Sequence, residues 1–63
     1  MSSSQIYIKK FGELLGVEEK ARDLYKYYID SIEDPVILEK LKELHGDEEK
    51  HVKIVKSFID KIR

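Results

Sequence analysis

The sequence predicts an all-α protein, an antiparallel hairpin of two long helices that pairs with a second copy to form a four-helix bundle. Three observations lead to this fold class. Apolar residues recur at steps of three, four and seven, the spacing of an amphipathic helix. The only proline, Pro35, stands near the middle of the 63 residues. A chain shorter than about 70 residues rarely builds a sufficient core alone, so we expect the isolated hairpin to be unstable.

The first helix is predicted over residues 5–33, after a polar start in which one serine can act as N-cap. Its apolar positions are Tyr7, Phe11, Leu14, Leu15, Tyr25, Ile29 and Ile32. Gly12 and Gly16 are its weak points, because each costs up to about 1 kcal/mol relative to alanine. A bend, or a helix start near Gly12, is therefore an alternative.

The break between the helices is predicted at residues 33–35. Proline cannot continue a helix but suits the first position of the next one, and Asp34 before it is a favourable N-cap. The second helix then covers residues 35–62, and residues 1–63 form a single domain. Its apolar positions are Ile37, Leu41, Leu44, Val52, Val55, Ile59 and Ile62.

The composition excludes several classes of function. Twelve Lys and Arg stand against 13 Asp and Glu, with a net charge of −1, and the signs are mixed along the chain, which disfavours nucleic-acid binding. No apolar run is long enough to span a membrane, and the start lacks the features of a signal peptide, so we expect a cytoplasmic protein. There is no cysteine, which leaves a metal or oligomerisation to stabilise the fold.

Glu48 and His51 form the motif that carries chemistry. Residues three apart project from the same side of a helix and can converge on one ion. Asp47 and Glu49 are competing candidates, and the helical phase decides between them. At about 100° per residue, Glu48 points with the apolar stripe and His51 lies about 60° away, whereas Asp47 and Glu49 lie about 100° to either side. We expect those two to be solvated.

Glu18 occupies the equivalent position on the first helix, while Glu19 falls about 100° away from the stripe. In a hairpin that turns near residues 33–34, residues are level when their numbers sum to about 67, so Glu18 is level with both Glu48 and His51. A buried carboxylate is unfavourable unless it is compensated. Glu18, Glu48 and His51 are therefore the predicted metal ligands, and each is contributed twice if two chains meet at this central level.

Other readings remain open for single residues. Glu18 and Glu48 are surface residues if the helical phase is slightly wrong. Without an inward-facing Glu48, a histidine in the position of His51 is more often a partly buried core residue than a metal ligand. His45 is a boundary residue or has an accessory role. Arg22 either pairs with a site carboxylate or extends outward.

Two segments together resemble the ferritin-like superfamily, in particular half of a rubrerythrin-type bundle. Residues 18–25, Glu-Glu-Lys-Ala-Arg-Asp-Leu-Tyr, resemble the family's first-helix Glu-x-x-Ala-Arg-x-x-Tyr, and residues 48–51 resemble its Glu-x-x-His. The resemblance covers most of residues 11–60. It implies a di-iron carboxylate centre held by Glu18, Glu48 and His51 of each of two chains, in a homodimer or higher homo-oligomer. It also implies oxidation of Fe(II) by oxygen or peroxide, as in a ferroxidase or a peroxidase-like oxidoreductase.

The chain departs from the family pattern in ways that keep alternatives open. Family members usually carry four helices in one chain, and rubrerythrins have an additional site glutamate where this chain has Ala21. Without cysteine there is no rubredoxin domain, which leaves the electron donor unknown. Manganese or zinc could replace iron. The chain could instead be a structural or adaptor dimer without a catalytic metal, or one component of a larger complex.

Overall fold

The computed structural model describes residues 2–63 as two α-helices joined by a short turn. Helix α1 covers Ser3–Ser31 and helix α2 covers Pro35–Ile62. They lie antiparallel in a thin rod about 49 Å long and 14 by 11 Å in cross-section, and residues 2–63 contain no β-strand. The all-α class and the helical hairpin are therefore confirmed.

Helix α1 begins and ends two residues earlier than the predicted bounds of 5–33. It begins early because Ser2 is its N-cap: the Ser2 hydroxyl accepts from the Gln5 backbone N–H at 3.3 Å, and the Gln5 side-chain oxygen accepts from the Ser2 N–H at 3.1 Å. This reciprocal capping box satisfies two backbone donors that the helix leaves free. It ends early because the backbone of Ile32 is extended, with ψ near 133°.

The turn is built by Asp34 and Pro35, as the sequence indicates. The Asp34 carboxylate accepts from the backbone N–H groups of Val36 and Ile37 at 2.9 and 3.1 Å, and Pro35 occupies the first helical position. Both helices are otherwise uninterrupted. Gly12 and Gly16 neither bend α1 into separate elements nor delay its start.

Only two side chains in residues 2–63 are buried, Val52 at 4% exposure and Val55 at 5%. Many apolar side chains along the seam between the helices are half-buried. At its edge the half-buried ring of Phe11 contacts the exposed ring of Phe58, with centroids 5.4 Å apart. A two-helix rod covers each stripe from one side only. The packing within one hairpin therefore gives a seam and leaves the core incomplete.

A second set of apolar side chains is exposed on one flank of each helix. Viewed down the axis of α1 and taking 100° per residue, these side chains are rotated from Glu18 by about 20° to 120° in the sense of decreasing residue number. On α2 the exposed side chains are rotated from Glu48 by about 20° to 120° in the same sense. Because the helices are antiparallel, the same sense of rotation brings both flanks to the same side of the hairpin. We call this side the broad face; its exposed members are Ile6, Tyr7, Leu14, Val17, Leu24, Tyr28, Val36, Ile37, Leu44, Ile54 and Phe58.

Candidate metal centre

Glu18, Glu48 and His51 meet at the middle of the hairpin. Each offers one ligand atom, and these three atoms lie within 4.8 Å of one another. Glu18 comes from α1, whereas Glu48 and His51 are one helical turn apart on α2. The structure thus brings together the three residues that the sequence predicts as ligands.

The imidazole of His51 lies between the two carboxylates. Its Nδ1 atom is 3.3 Å from Glu18 Oε2 and 3.6 Å from Glu48 Oε2. Both distances are longer than the usual 2.7 to 3.2 Å of an N–H···O hydrogen bond. These contacts are therefore weak as hydrogen bonds.

The same distances suit donors that share one ion. Nitrogen and oxygen donors lie about 2.1 Å from a zinc-sized ion, which separates neighbouring donors by about 3.0 Å in octahedral and about 3.4 Å in tetrahedral geometry. The donor set, two carboxylates and one imidazole, suits iron, manganese or zinc. By distance and by chemistry, the residues fit a first-row divalent metal.

Glu48 is the most constrained of the three side chains. Its side chain is 17% exposed, and its Oε2 atom is buried with no hydrogen-bond partner in residues 2–63. A proton shared in a hydrogen bond with the neighbouring Glu18 carboxyl is the main cause that raises the pKa of Glu48 above its ordinary 4.5. Burial and repulsion by Glu18 raise it further, and His51 opposes both. An ionised Glu48 is therefore only partly compensated within one hairpin.

The competing acids on α2 point away from the centre. Asp47 is exposed, and the Glu49 side chain is 51% exposed, as the helical phase predicts for both. Glu19 departs from its expected phase, because it is half-buried. It lies on the side of the hairpin opposite the broad face and does not join the three ligand candidates.

Two polar residues near the centre have side-chain partners that are not among the three ligand candidates. His45 Nδ1 lies 3.2 Å from Glu49 Oε1, a pairing that the sequence reasoning did not consider although the spacing of four residues permits it. Arg22 donates to Asp23 at 3.1 Å. The alternative in which Arg22 pairs with a site carboxylate is therefore wrong for this hairpin.

The centre opens toward the broad face through His51. The His51 side chain is 51% exposed, compared with 20% for Glu18, because it projects about 60° from Glu48 toward that face. Three donors leave at least one position free on a four-coordinate ion, and more on a six-coordinate one. Anything that covers the broad face would also close the centre.

Comparisons of the chain with models of protein families, with curated proteins and with solved structures found no match. The ferritin-like resemblance therefore stays a prediction from the two motifs. In residues 2–63 neither helix has a stretch long and apolar enough to cross a membrane.

Proposed function

We propose that this chain is half of a di-iron carboxylate protein of ferritin-like, rubrerythrin type. Two chains form a homodimeric four-helix bundle, and each supplies Glu18, Glu48 and His51. The observation that carries the proposal is the convergence of these three donors around a buried carboxylate oxygen with no partner. Two such sets provide four carboxylates and two imidazoles, the donor set of bundle-type di-iron centres.

The charges of the donor set support the proposed metal content. Four carboxylates carry −4, which two divalent ions neutralise, so the ions remove the repulsion that the Glu18 and Glu48 pair would otherwise experience. The buried oxygen of Glu48 gains a partner at the same time. Metal binding and folding are therefore coupled, as expected when a ligand binds only the native state.

The protein residues have separate parts in the proposed chemistry. Glu18 and Glu48 would hold the ions from the two helices, and His51 would provide a nitrogen ligand from the side of the broad face. Iron bound there in the ferrous state would supply the electrons for reduction of dioxygen or peroxide. The apolar residues around this level limit the access of water. We infer Fe(II) oxidation as the reaction class, which would make the protein a ferroxidase or a peroxidase-like oxidoreductase.

An anaerobic Fe(II) titration followed by calorimetry tests the proposal. We expect one Fe(II) per chain, with binding strongly weakened in Glu18→Gln and almost unchanged in Glu49→Gln, whose side chain is exposed. Addition of oxygen or peroxide should then produce the near-ultraviolet absorbance of ferric iron. Equal binding by the two variants would contradict the assignment of the ligands.

A structural or adaptor dimer without a catalytic metal is the second candidate. The broad face favours it, because these apolar residues require a partner whether or not a metal binds. Elemental analysis of protein purified without added metal separates the candidates: about two iron atoms per dimer support the first, and no metal supports the second.

A further inference from the structure

We infer that the second copy covers the broad face with its ends reversed, about a twofold axis perpendicular to the helices. The open end of each hairpin, where α1 begins and α2 ends, then lies over the turn of the other. This arrangement rests on the proposed function, since it completes the centre formed by Glu18, Glu48 and His51. The alternative axis runs parallel to the helices and places like ends together.

The exposed area of the single hairpin is what a second copy would bury. The chain exposes 4980 Å², whereas a compact monomer of 7.5 kDa exposes about 4,250 Å² by the usual scaling with mass. The excess, roughly 700 Å², is close to the 800 Å² or so that each partner buries in an interface of standard size. The elongated hairpin therefore exposes an excess of surface comparable to what one partner buries in a stable dimer.

The central position of the site favours reversed ends. Glu18 is 15 residues from the start of α1 and 13 from its end, and Glu48 is 13 residues from the start of α2 and 14 from its end. A perpendicular axis through the site lets the two rods overlap along their whole length only when the site is halfway along the rod. A parallel axis gives full overlap for a site at any height, so it leaves the central position without a reason.

The charges at the two ends favour the same arrangement. Five basic side chains stand against two acidic ones at the open end, residues 2–14 and 54–63, whereas three stand against four at the turn end, residues 25–42. Reversed ends place a net charge of +3 over one of −1. A parallel axis places +3 over +3, and this repulsion acts within a Debye length of about 10 Å at moderate salt.

The side chains of the broad face also pair well when the ends are reversed. Tyr7, Leu14, Ala21 and Tyr28 form a row at seven-residue spacing on α1, centred near the level of Glu18. Reversal about that level sets Leu14 opposite the partner's Ala21, a large side chain against a small one. It sets Tyr7 opposite the partner's Tyr28, where aromatic contact contributes beyond simple burial.

Distances between spin labels on the iron-loaded dimer test the arrangement. The chain has no cysteine, so Lys61→Cys at the open end and Glu33→Cys at the turn each carry one label per chain, both at exposed positions. At 1.5 Å per residue from the centre, reversed ends predict separations of about 40 Å or more at both positions. A Lys20→Cys label near the middle is the control, with a short separation under either axis.

Each outcome is decisive. Long separations at positions 33 and 61 with a short one at position 20 support reversed ends. Short separations at all three, about 30 Å or less for labels across a bundle of two helix widths, overturn the arrangement but keep the dimer. Absence of any dipolar interaction overturns the homodimer and therefore the proposed function itself.

Discussion

Glu48 is the residue on which the stability of the metal-free protein depends most directly. Its buried Oε2 atom has no partner in residues 2–63, and Glu18 stands close enough to disfavour its ionised form. The proposed ligand Glu48 is thus kept in a position that is unfavourable without metal. Ligand function and metal-free stability should therefore respond in opposite directions when Glu48 is changed.

The variant Glu48→Gln should bind Fe(II) more weakly and yet be more stable without metal. We expect the metal-free free energy of unfolding to rise by an amount on the order of 1 kcal/mol per chain, because the amide removes a buried charge that is only partly compensated. Thermal melts with and without Fe(II) under anaerobic conditions measure both effects. The same change at the exposed Glu49 should alter neither; equal responses would mean that the helical phase is wrong.

The metal-free protein should also lose stability as the pH rises through the titration of Glu48. The pKa of Glu48 is raised in the folded state above 4.5, so between 4.5 and that higher value the folded chain binds more protons than the unfolded one. Unfolding free energy then falls with rising pH across this window. The stability gap between Glu48→Gln and wild type should be widest above the window and shrink as the pH is lowered to 4.5. A gap independent of pH would contradict the assignment.

At the scale of the helices, local signals predicted most of the structure. Asp34 and Pro35 determine the turn because capping and proline chemistry act within a few residues. The sequence predicts the end of α1 two residues too late, since the extended backbone of Ile32 has no strong local signal. It also does not predict the half-burial of Glu19, because an ideal 100° step describes one helix by itself.

The N-cap of α2 should be worth a measurable part of the stability. Replacing Asp34 by Ala leaves the N–H groups of Val36 and Ile37 without their carboxylate acceptor, which should lower the unfolding free energy by about 1 kcal/mol. Chemical denaturation of Asp34→Ala and Asp34→Asn, with Glu33→Ala as the control, measures this. Asparagine should retain most of the stability, and an equal loss in the control would argue against a specific cap.

Gly46, two residues before Glu48, tests whether the site needs a loosened helix. A Cβ added there meets nothing within 4 Å, so Gly46→Ala should stabilise the protein by up to about 1 kcal/mol through helix propensity. Iron affinity should stay unchanged if Gly46 is simply tolerated. A variant that is more stable but binds Fe(II) more weakly would show that the centre depends on local opening of α2.

At the scale of the whole molecule, the exposed broad face goes with an incomplete core, since Val52 and Val55 are the only buried side chains in residues 2–63. Helical phase predicted the three ligand candidates, since Glu18, Glu48 and His51 depend only on the pairing of α1 with α2. Helical phase alone does not distinguish side chains in the seam between α1 and α2 from side chains on the exposed flank, which we propose a second copy covers. That distinction required the exposure of side chains such as Val17 and Tyr28.

Tyr27 and Tyr28 form a matched pair for testing this face. They are adjacent and exposed at 66% and 42%, but Tyr28 lies on the broad face and Tyr27 points away from α2. Tyr28→Lys should weaken the dimer by at least tenfold, because it places a charge in an apolar interface. Tyr27→Lys should leave the dimer intact in sedimentation equilibrium. Equal effects would mean that another surface forms the contact.

Native mass spectrometry of the anaerobically iron-loaded protein tests the shared iron centre, because it counts chains and metal ions in the same particle. We expect iron-containing particles to hold two chains and two iron ions, or multiples of that unit. We also expect Glu48→Gln to shift the population to iron-free particles, whereas Glu49→Gln should not. Iron bound to single chains, or iron occupancy that is the same in Glu48→Gln as in the wild type, would contradict a shared centre built from Glu18, Glu48 and His51.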